Sequence, residues 1–520
     1  MIPFDESGAF QAANGGAELR RLAVRGAAAT ISATGLSLAV QVISTVILAR
    51  LLTPADFGVV TMVTTFSLLL VSFGLNGFTD AIIQFEKIDR YTASNLFWFN
   101  STVGLALALL FIATGSLLAR FYGNPLVQNV AVGLSPGIFI ASLSVIHIAL
   151  LKRTMRFAGA SANDVIGRAV NTVVSIVLAI KGWGYWALVA GIIAQQLSVT
   201  IGGWWLCRWI PSLPRRTGKT KPYVYFALKV YGRYCFGYST QNIDNLLVGW
   251  RFNAVALGFY KKAYDLFALS GSQLVAPLHN VALASLSRLT QDPIRYRRYL
   301  ANALGIVAFV GMAASADLTL VGKDVIRLVL GPGWSVSGRI FELFGPGIGA
   351  MLLCGAFGWI HLSLGRPERW FRWSLFELGF TVSLFLAALH WGPAGIAAAW
   401  SISYWALLIP GFWYAGRKIG FGASALIESV WRYIVAALIS GLVTGAIIRG
   451  TRFWQIPQSA LSALWAIIVI SALLVTTYLA MTILLYRGLA PLRQCVSILR
   501  ELVPSRKAAE PPAEITAEYR

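Results

Sequence analysis

Phe226-Ala-Leu-Lys-Val-Tyr-Gly-Arg-Tyr-Cys-Phe-Gly-Tyr-Ser-Thr-Gln-Asn-Ile-Asp-Asn-Leu-Leu-Val248 is apolar enough to lie in a bilayer, yet it carries Lys229, Arg233, Gln241, Asp244 and Asn245. On a helix, Lys229, Arg233, Gly237, Thr240, Gln241 and Asp244 recur at intervals of three and four and form one polar stripe. Leu228, Val230, Phe236, Leu246 and Leu247 cover the other faces. A charge at mid-bilayer costs about 2.5–3.5 kcal/mol even on the lenient insertion scale, so the stripe is expected to line a water-filled cavity or face other helices. Lys229 alone has the alternative of snorkelling to the headgroups. Asp244, about 22 Å further along at 1.5 Å per residue, cannot share that interface.

The 520-residue chain surrounds this stretch with similar apolar blocks, and no part of it has the composition of a soluble domain. It is 57% hydrophobic and 12% charged, whereas charged residues alone make up roughly 25% of soluble proteins. A helical span needs about 20 mostly apolar residues, and fourteen such blocks run from about 27–49 to 460–486. The expected fold is an all-α polytopic membrane protein of about 14 transmembrane helices. Two six-helix pseudo-symmetric lobes, 26–208 and 224–418, are followed by two C-terminal helices within 419–487. A basic linker at 209–223 joins the lobes, a polar segment 1–25 precedes them, and 488–520 forms a tail whose end is expected to be disordered.

The net charge of +22 would suggest nucleic acid in a soluble protein. Here the basic residues cluster on alternate loops: Arg20, Arg21 and Arg25; Lys152, Arg153 and Arg156; Arg215, Arg216, Lys219 and Lys221; Arg288, Arg295, Arg297 and Arg298; Arg366, Arg369 and Arg372. The positive-inside rule explains them without a nucleic-acid partner and puts both termini in the cytoplasm. Residues 1–25 carry no apolar core of a cleavable signal, so the first span is expected to do the targeting. Four cysteines and four histidines are scattered without metal or redox spacing, which gives no metal site and no cofactor.

Other spans carry weaker stripes. Asn76, Asp80 and Gln84 recur at intervals of four, and Ser161, Asp164, Arg168, Asn171 and Ser175 at three and four. Arg168 is either a ligand-binding cation or the partner of Asp164 one turn earlier. Lys261 can pair with Asp265 in the same way, which leaves Lys262 unmatched within its helix. Glu377 is expected to form a salt bridge with Arg369 or Arg372. Gly441-x-x-x-Gly445 reads as a close-packing seam. The candidate substrate-binding residues are therefore Arg168, Lys229, Arg233, Gln241, Asp244, Lys261 and Lys262, with Asp80 and Asp244 as candidate proton or sodium sites. Arg and Lys are matched to phosphate, and the surrounding Asn242, Asn245, Tyr231, Tyr234 and Tyr238 suit sugar hydroxyls and ring faces.

The chain also repeats itself weakly. Thr53-Pro-Ala-Asp-Phe-Gly-Val-Val60 is echoed by Asn253-Ala-Val-Ala-Leu-Gly-Phe-Tyr260, and Gly182-Trp-Gly-Tyr-Trp-Ala187 by Trp391-Gly-Pro-Ala-Gly-Ile-Ala397. Six spans per half would make these parallel repeats about an axis along the membrane normal. The run from Ile47 to Val60, and Gln241-Asn-Ile-Asp-Asn-Leu-Leu-Val-Gly249 with Ala256-Leu-Gly-Phe-Tyr260, resemble the bacterial polysaccharide flippases. These are the Wzx-like branch of the multidrug/oligosaccharidyl-lipid/polysaccharide (MOP) exporter superfamily, and the resemblance extends from about Gly26 to Tyr486. It implies a non-enzymatic two-lobed bundle in the bacterial inner membrane. Such a bundle flips an undecaprenyl pyrophosphate-linked oligosaccharide to the outer leaflet by alternating access, for O-antigen, capsule or exopolysaccharide. Membrane lipids, a coupling H+ or Na+ and polysaccharide polymerase or assembly proteins are the implied partners. The family offers no shared catalytic motif, so the residue assignments rest on the stripes.

Two other readings remain. A drug/cation antiporter of the same superfamily would favour acidic cavity residues, against the cationic excess here. An integral-membrane glycosyltransferase, polymerase or ligase would display a sizeable loop or paired interfacial carboxylates, whereas the longest connection, 209–223, is short and basic. The Gly218-Lys219-Thr220 triplet lacks the earlier glycine and the preceding strand of a P-loop, which excludes an ATPase.

Overall fold

The computed structural model of the chain describes residues 3–5, 10, 16–85, 88–215, 220–450 and 460–489. Among these residues the α-helices follow in the order α1 Gly16–Leu51, α2 Pro54–Gln84, α3 Arg90–Tyr122, α4 Leu126–Ser142, α5 Val145–Arg153, α6 Phe157–Ile180, α7 Tyr185–Cys207, α8 Lys221–Arg251 and α9 Ala254–Arg288. The second part adds α10 Pro293–Leu330, α11 Ser335–Phe344, α12 Gly347–Cys354, α13 Ala356–Ser363, α14 Pro367–Ala388, α15 Gly392–Gly416, α16 Ala423–Gly450 and α17 Ala460–Tyr486. Short polar punctuation sets the starts and stops. Thr53 and Asp56 form a reciprocal capping box ahead of α2, with Pro54 at its first position. Asp89 accepts the Thr92 amide at the start of α3, and Gly123 ends that helix at φ 61°.

Ten stretches among the described residues are long and apolar enough to cross a bilayer, or eleven when the pair broken at Gly345-Pro346 is counted as one. One of the ten, Pro367–Ile419, contains both α14 and α15. Helices α8 and α9 have the length, 31 and 35 residues, and carry the charged stripes. The inventory is consistent with the fourteen expected crossings. The block expected at 126–151 runs as one apolar span, Leu126–Arg153, with a local interruption between α4 and α5, whereas the block at 339–364 is broken into α11, α12 and α13. Carbonyls freed at such breaks need donors, since hydrocarbon supplies none. Asn100 Nδ2 donates to Ser142 O at 2.7 Å and Trp204 Nε1 to Leu143 O at 2.9 Å. At the second break Ser315 Oγ reaches Gly345 O at 2.7 Å and Trp405 Nε1 reaches Pro346 O at 2.8 Å.

The chain forms two compact units: 1–267 with 323–343 and 376–400, and 268–322 with 344–375 and 401–520. In the first, α6 packs on α7 and α1, α3 on α4, and α2 on α8. The described end of the basic linker is pinned there: Asn95 exchanges two hydrogen bonds with the Arg215 backbone at 2.6 and 2.9 Å, and Trp98 Nε1 donates to Ser212 O at 2.9 Å. In the second unit, α16 packs on α17, and the Gly441/Gly445 seam lies in ordinary contact with Ala316 and Leu320 of α10. The side chain of Asn76 and the tail beyond 489 fall outside the described residues.

The weak internal repeat has a counterpart in the first unit. A Cβ on Gly58 would lie 1.7 Å from Ala254 O, and a Cβ on Gly258 would lie 1.9 Å from Pro54 O. Gly258 follows Gly58, and Ala254 follows Pro54, by 200 residues, so the first turns of α2 and α9 cross reciprocally, backbone against backbone. Gly58→Ala and Gly258→Ala should each lower the thermal midpoint of purified protein, by about 1–3 kcal/mol in stability. Gly35→Ala, whose Cβ meets nothing within 4 Å, should be neutral or stabilising in the same unfolding scan.

Candidate functional site

A cavity of about 380 Å³ opens inside the first unit. Its polar lining comes from Ser44 and Thr45 of α1, Thr61, Thr64 and Ser67 of α2, Asn171 of α6, Gln195 and Gln196 of α7, and Lys262 of α9. The α2 hydroxyls donate to their own helix, Thr61 Oγ1 to Phe57 O at 2.7 Å and Thr64 Oγ1 to Thr61 O at 3.4 Å. Their oxygens keep lone pairs for another donor. Asn171 Nδ2 donates to Gln195 Oε1 at 2.8 Å, which fixes the two amides across the α6–α7 contact and turns the Gln195 amide nitrogen outward as a donor. Among the described residues no carboxylate lines the space.

Lys262 is its one cation among the described residues. The Nζ lies 4.0 Å from the centroid of the Phe57 ring, a cation–π contact across the α2–α9 crossing. Lys261 points elsewhere and pairs with Asp265 at 2.9 Å, as the spacing predicted. Of the residues singled out as candidate ligands, Lys262 is the one that lines this cavity. Gln195, Gln196 and the Thr61/Thr64 pair were missed. Their signal was present in adjacent mid-span amides and in hydroxyls spaced by three, but neither carries charge.

The α8 stripe is open along most of its length. Lys229, Arg233, Gly237 and Gln241 are exposed, and a Cβ on Gly237 would meet nothing within 4 Å. Lys229 Nζ sits 4.3 Å above the Tyr225 ring. The opposite face packs, with Tyr231 Oη donating to Leu69 O at 2.9 Å. The stripe closes at Asp244, which is fully buried. Its Oδ2 accepts from Tyr260 Oη at 2.7 Å and Trp400 Nε1 at 3.1 Å, and its Oδ1 from the Asn245 amide at 2.8 Å. Asp244 therefore lies behind a lid of aromatic donors and does not line an open space. A carboxylate so placed is held by three donors rather than by water.

The remaining candidates are dispersed. Arg168 Nε pairs with Asp164 Oδ2 at 2.9 Å on the surface of α6, the structural alternative of the two open to it. Asp80 is exposed. The Arg369 guanidinium is taken up by Tyr414, whose carbonyl it reaches at 2.9 Å and whose ring it covers at 4.6 Å. No ion pair to Glu377 occurs among the described residues, so the expected bridge to Arg369 or Arg372 is not formed. His147 is a packing residue, bonded at 3.1 Å to Trp209 O and stacked on Trp204. Arg168, Lys229 and Arg233 share no contact among the described residues.

This is a multi-pass membrane protein with the helical fold of the MOP exporters. It superposes on the lipid II flippase MurJ, in an inward closed conformation, with a TM-score of 0.70 and 16% identity, covering 88% of this chain and 98% of that one. A multidrug resistance MATE family transporter in an inward-facing conformation gives a TM-score of 0.60 at 13% identity, covering 75% and 96%. Residues 47–338 match the polysaccharide biosynthesis protein family, to which the chain belongs. It is 21% identical over 416 residues to the succinoglycan biosynthesis transport protein ExoT of Rhizobium meliloti, covering 79% of this chain and 84% of that protein. It is 21% identical over 363 residues to the lipopolysaccharide biosynthesis protein WzxC of Escherichia coli, covering 65% and 71%.

The Asp244 cluster gives a direct test. Tyr260→Phe should destabilise the purified protein by about 1–3 kcal/mol, the cost of leaving a buried acceptor short of a donor. In an Asp244→Leu background the same change should cost less. Equal Tm losses in both backgrounds would show that Tyr260 acts through packing alone.

Proposed function

We propose that the chain is a flippase that moves an undecaprenyl pyrophosphate-linked oligosaccharide from the cytoplasmic to the outer leaflet of a bacterial inner membrane. The observation that carries this reading is the chemistry of the 380 Å³ cavity: among the described residues its polar lining is amides, hydroxyls and one lysine, with no carboxylate, set among apolar side chains. Such a surface hydrogen-bonds sugar hydroxyls and disfavours organic cations, which argues against the antiporter alternative. Family membership supports the same conclusion, and relatives described as transport proteins support a non-enzymatic role.

In this reading the open α8 stripe, with Lys229 and Arg233, receives the pyrophosphate. The glycan passes the Asn171, Gln195 and Gln196 amides, and the polyprenyl chain stays in lipid. Lobes 26–208 and 224–418 are proposed to rock about the bound headgroup, with both termini in the cytoplasm. Moving an anion across the membrane potential involves about 2.3 kcal/mol per charge per 100 mV. Asp244, the buried carboxylate at the end of the stripe, is the group assigned to bind the coupling H+ or Na+. Asp80, exposed at the surface, is the weaker candidate.

In vesicles loaded with a fluorescent lipid-linked oligosaccharide, Lys229→Gln with Arg233→Gln should slow translocation at least tenfold. Arg168→Gln, which removes a surface ion pair, should change it less than twofold. Normal translocation by the double variant would remove the anion site. Asp244→Asn should keep the fold and abolish the dependence of the rate on an imposed proton or sodium gradient. A gradient response that survives this change would assign coupling elsewhere.

A further inference from the structure

Helix α6 has two working faces. Asn171 looks into the polar cavity, while Gly159, Ala162, Ile166 and Val170, on the opposite side of the helix, line a second and larger space. This is an open, apolar groove of about 630 Å³ between α6 and α7, walled on the α7 side by Leu197, Ile201 and Trp205. The side chains that line it leave it open between the two helices. A Cβ on Gly159 would reach Leu206 only at 3.8 Å, an ordinary contact, so helix packing does not demand a glycine there. Gly202 is different: its Cβ would fall 2.0 Å from Asn163 Oδ1, and Asn163 Nδ2 donates to Val199 O at 2.9 Å, which locks the groove floor.

The groove is also polarised. From Gly159 to Val170 it runs about 16 Å at 1.5 Å per residue, close to the ~15 Å of one leaflet's hydrocarbon. At the Gly159 end stand Arg156, whose Nη1 donates to Leu206 O at 2.8 Å, and the exposed Arg208 just past the end of α7. Trp205, 70% exposed, sits at the same level, where an indole suits the headgroup region. This is the end that the Lys152, Arg153 and Arg156 cluster is expected to place at the cytoplasmic surface.

We infer that this groove is a seat for an anionic glycerophospholipid of the cytoplasmic leaflet, with one acyl chain along α6 and α7 and the phosphate between Arg156 and Arg208. The single-leaflet length and the two arginines carried at one end, Arg156 and the exposed Arg208, select a phosphate-headed phospholipid over a longer polyprenyl chain or a second copy of the protein. The seat lies behind the cavity wall, so its occupant braces the α6–α7 contact that also positions Asn171 and Gln195. The inference is independent of what the cavity carries.

Native mass spectrometry of the full chain, purified from nanodiscs of 1:1 phosphatidylglycerol and phosphatidylcholine, tests it. Gly159→Leu fills the groove at a helical position where leucine is the better helix former, so the variant should fold at least as well as the parent. It should retain at least threefold less phosphatidylglycerol, and Arg208→Gln should do the same. Val173→Leu, exposed on α6 but outside the groove, should retain the parental amount. Parental retention by Gly159→Leu, equal retention of the two phospholipids, or preferential capture of added polyprenyl phosphate by the parent would overturn the proposal. A dimer that dissociates in Gly159→Leu would overturn it as well.

Discussion

Hydrocarbon offers a polar atom no hydrogen-bonding partner, and most of what distinguishes this chain from a plain bundle of apolar helices follows from that constraint. Where a span breaks, donors converge on the freed carbonyls: Asn100 and Trp204 at the α4–α5 break, Ser315 and Trp405 at Gly345-Pro346. A carboxylate carried into the interior, as at Asp244, is surrounded by Tyr260, Trp400 and a backbone amide. Where the sequence supplies more polar groups than the packing uses, the helices leave space. The exposed run of Lys229, Arg233 and Gln241 and the cavity around Asn171, Gln195 and Gln196 are such places.

Glycine meets the same constraint from the steric side. Two helices that must cross near their first turns approach furthest where neither has a side chain, and at Gly58 and Gly258 the gap left is smaller than a methyl group. The crossing carries Phe57 and Lys262 with it and sets the lysine at the cavity edge, 4.0 Å from the ring. A packing solution for two backbones thus positions the one charge that lines the cavity among the described residues. The offset of 200 residues ties that solution to a repeat so faint in sequence that only the turn residues preserve it.

Much of the fold was legible because its signals are long and one-dimensional. Blocks of about twenty apolar residues announce spans, and intervals of three and four announce a wet face, so the α8 stripe stands where its spacing puts it. The breaks at 143–144 and 345–346 were less legible: Ser142-Leu-Ser144 is a weak signal inside an apolar run, Gly345-Pro346 is a breaker dipeptide that a count of apolar blocks passes over, and both are stabilised by donors distant in sequence, such as Trp204 and Trp405. The cavity was half legible. Charge drew attention to Arg168, which pairs locally with Asp164, while the neutral Gln195, Gln196 and Thr61 line the space because of tertiary placement alone. Glu377 shows the converse error: a plausible partner within one or two turns was available in Arg369, and the Tyr414 ring and carbonyl hold that guanidinium instead.

Helix α6 joins these threads. Its cavity side bears an amide fixed to α7 at 2.8 Å, and the edge toward the groove bears a second amide fixed to the same helix at 2.9 Å. Asn171 and Asn163 lie eight residues apart, just over two turns, so both amides face α7 and hold the helix pair at two depths. Because interhelical amide bonds in membrane proteins contribute only about 0.6 kcal/mol on average, this hold is firm enough to set geometry and weak enough to be shifted by what occupies the space on either side.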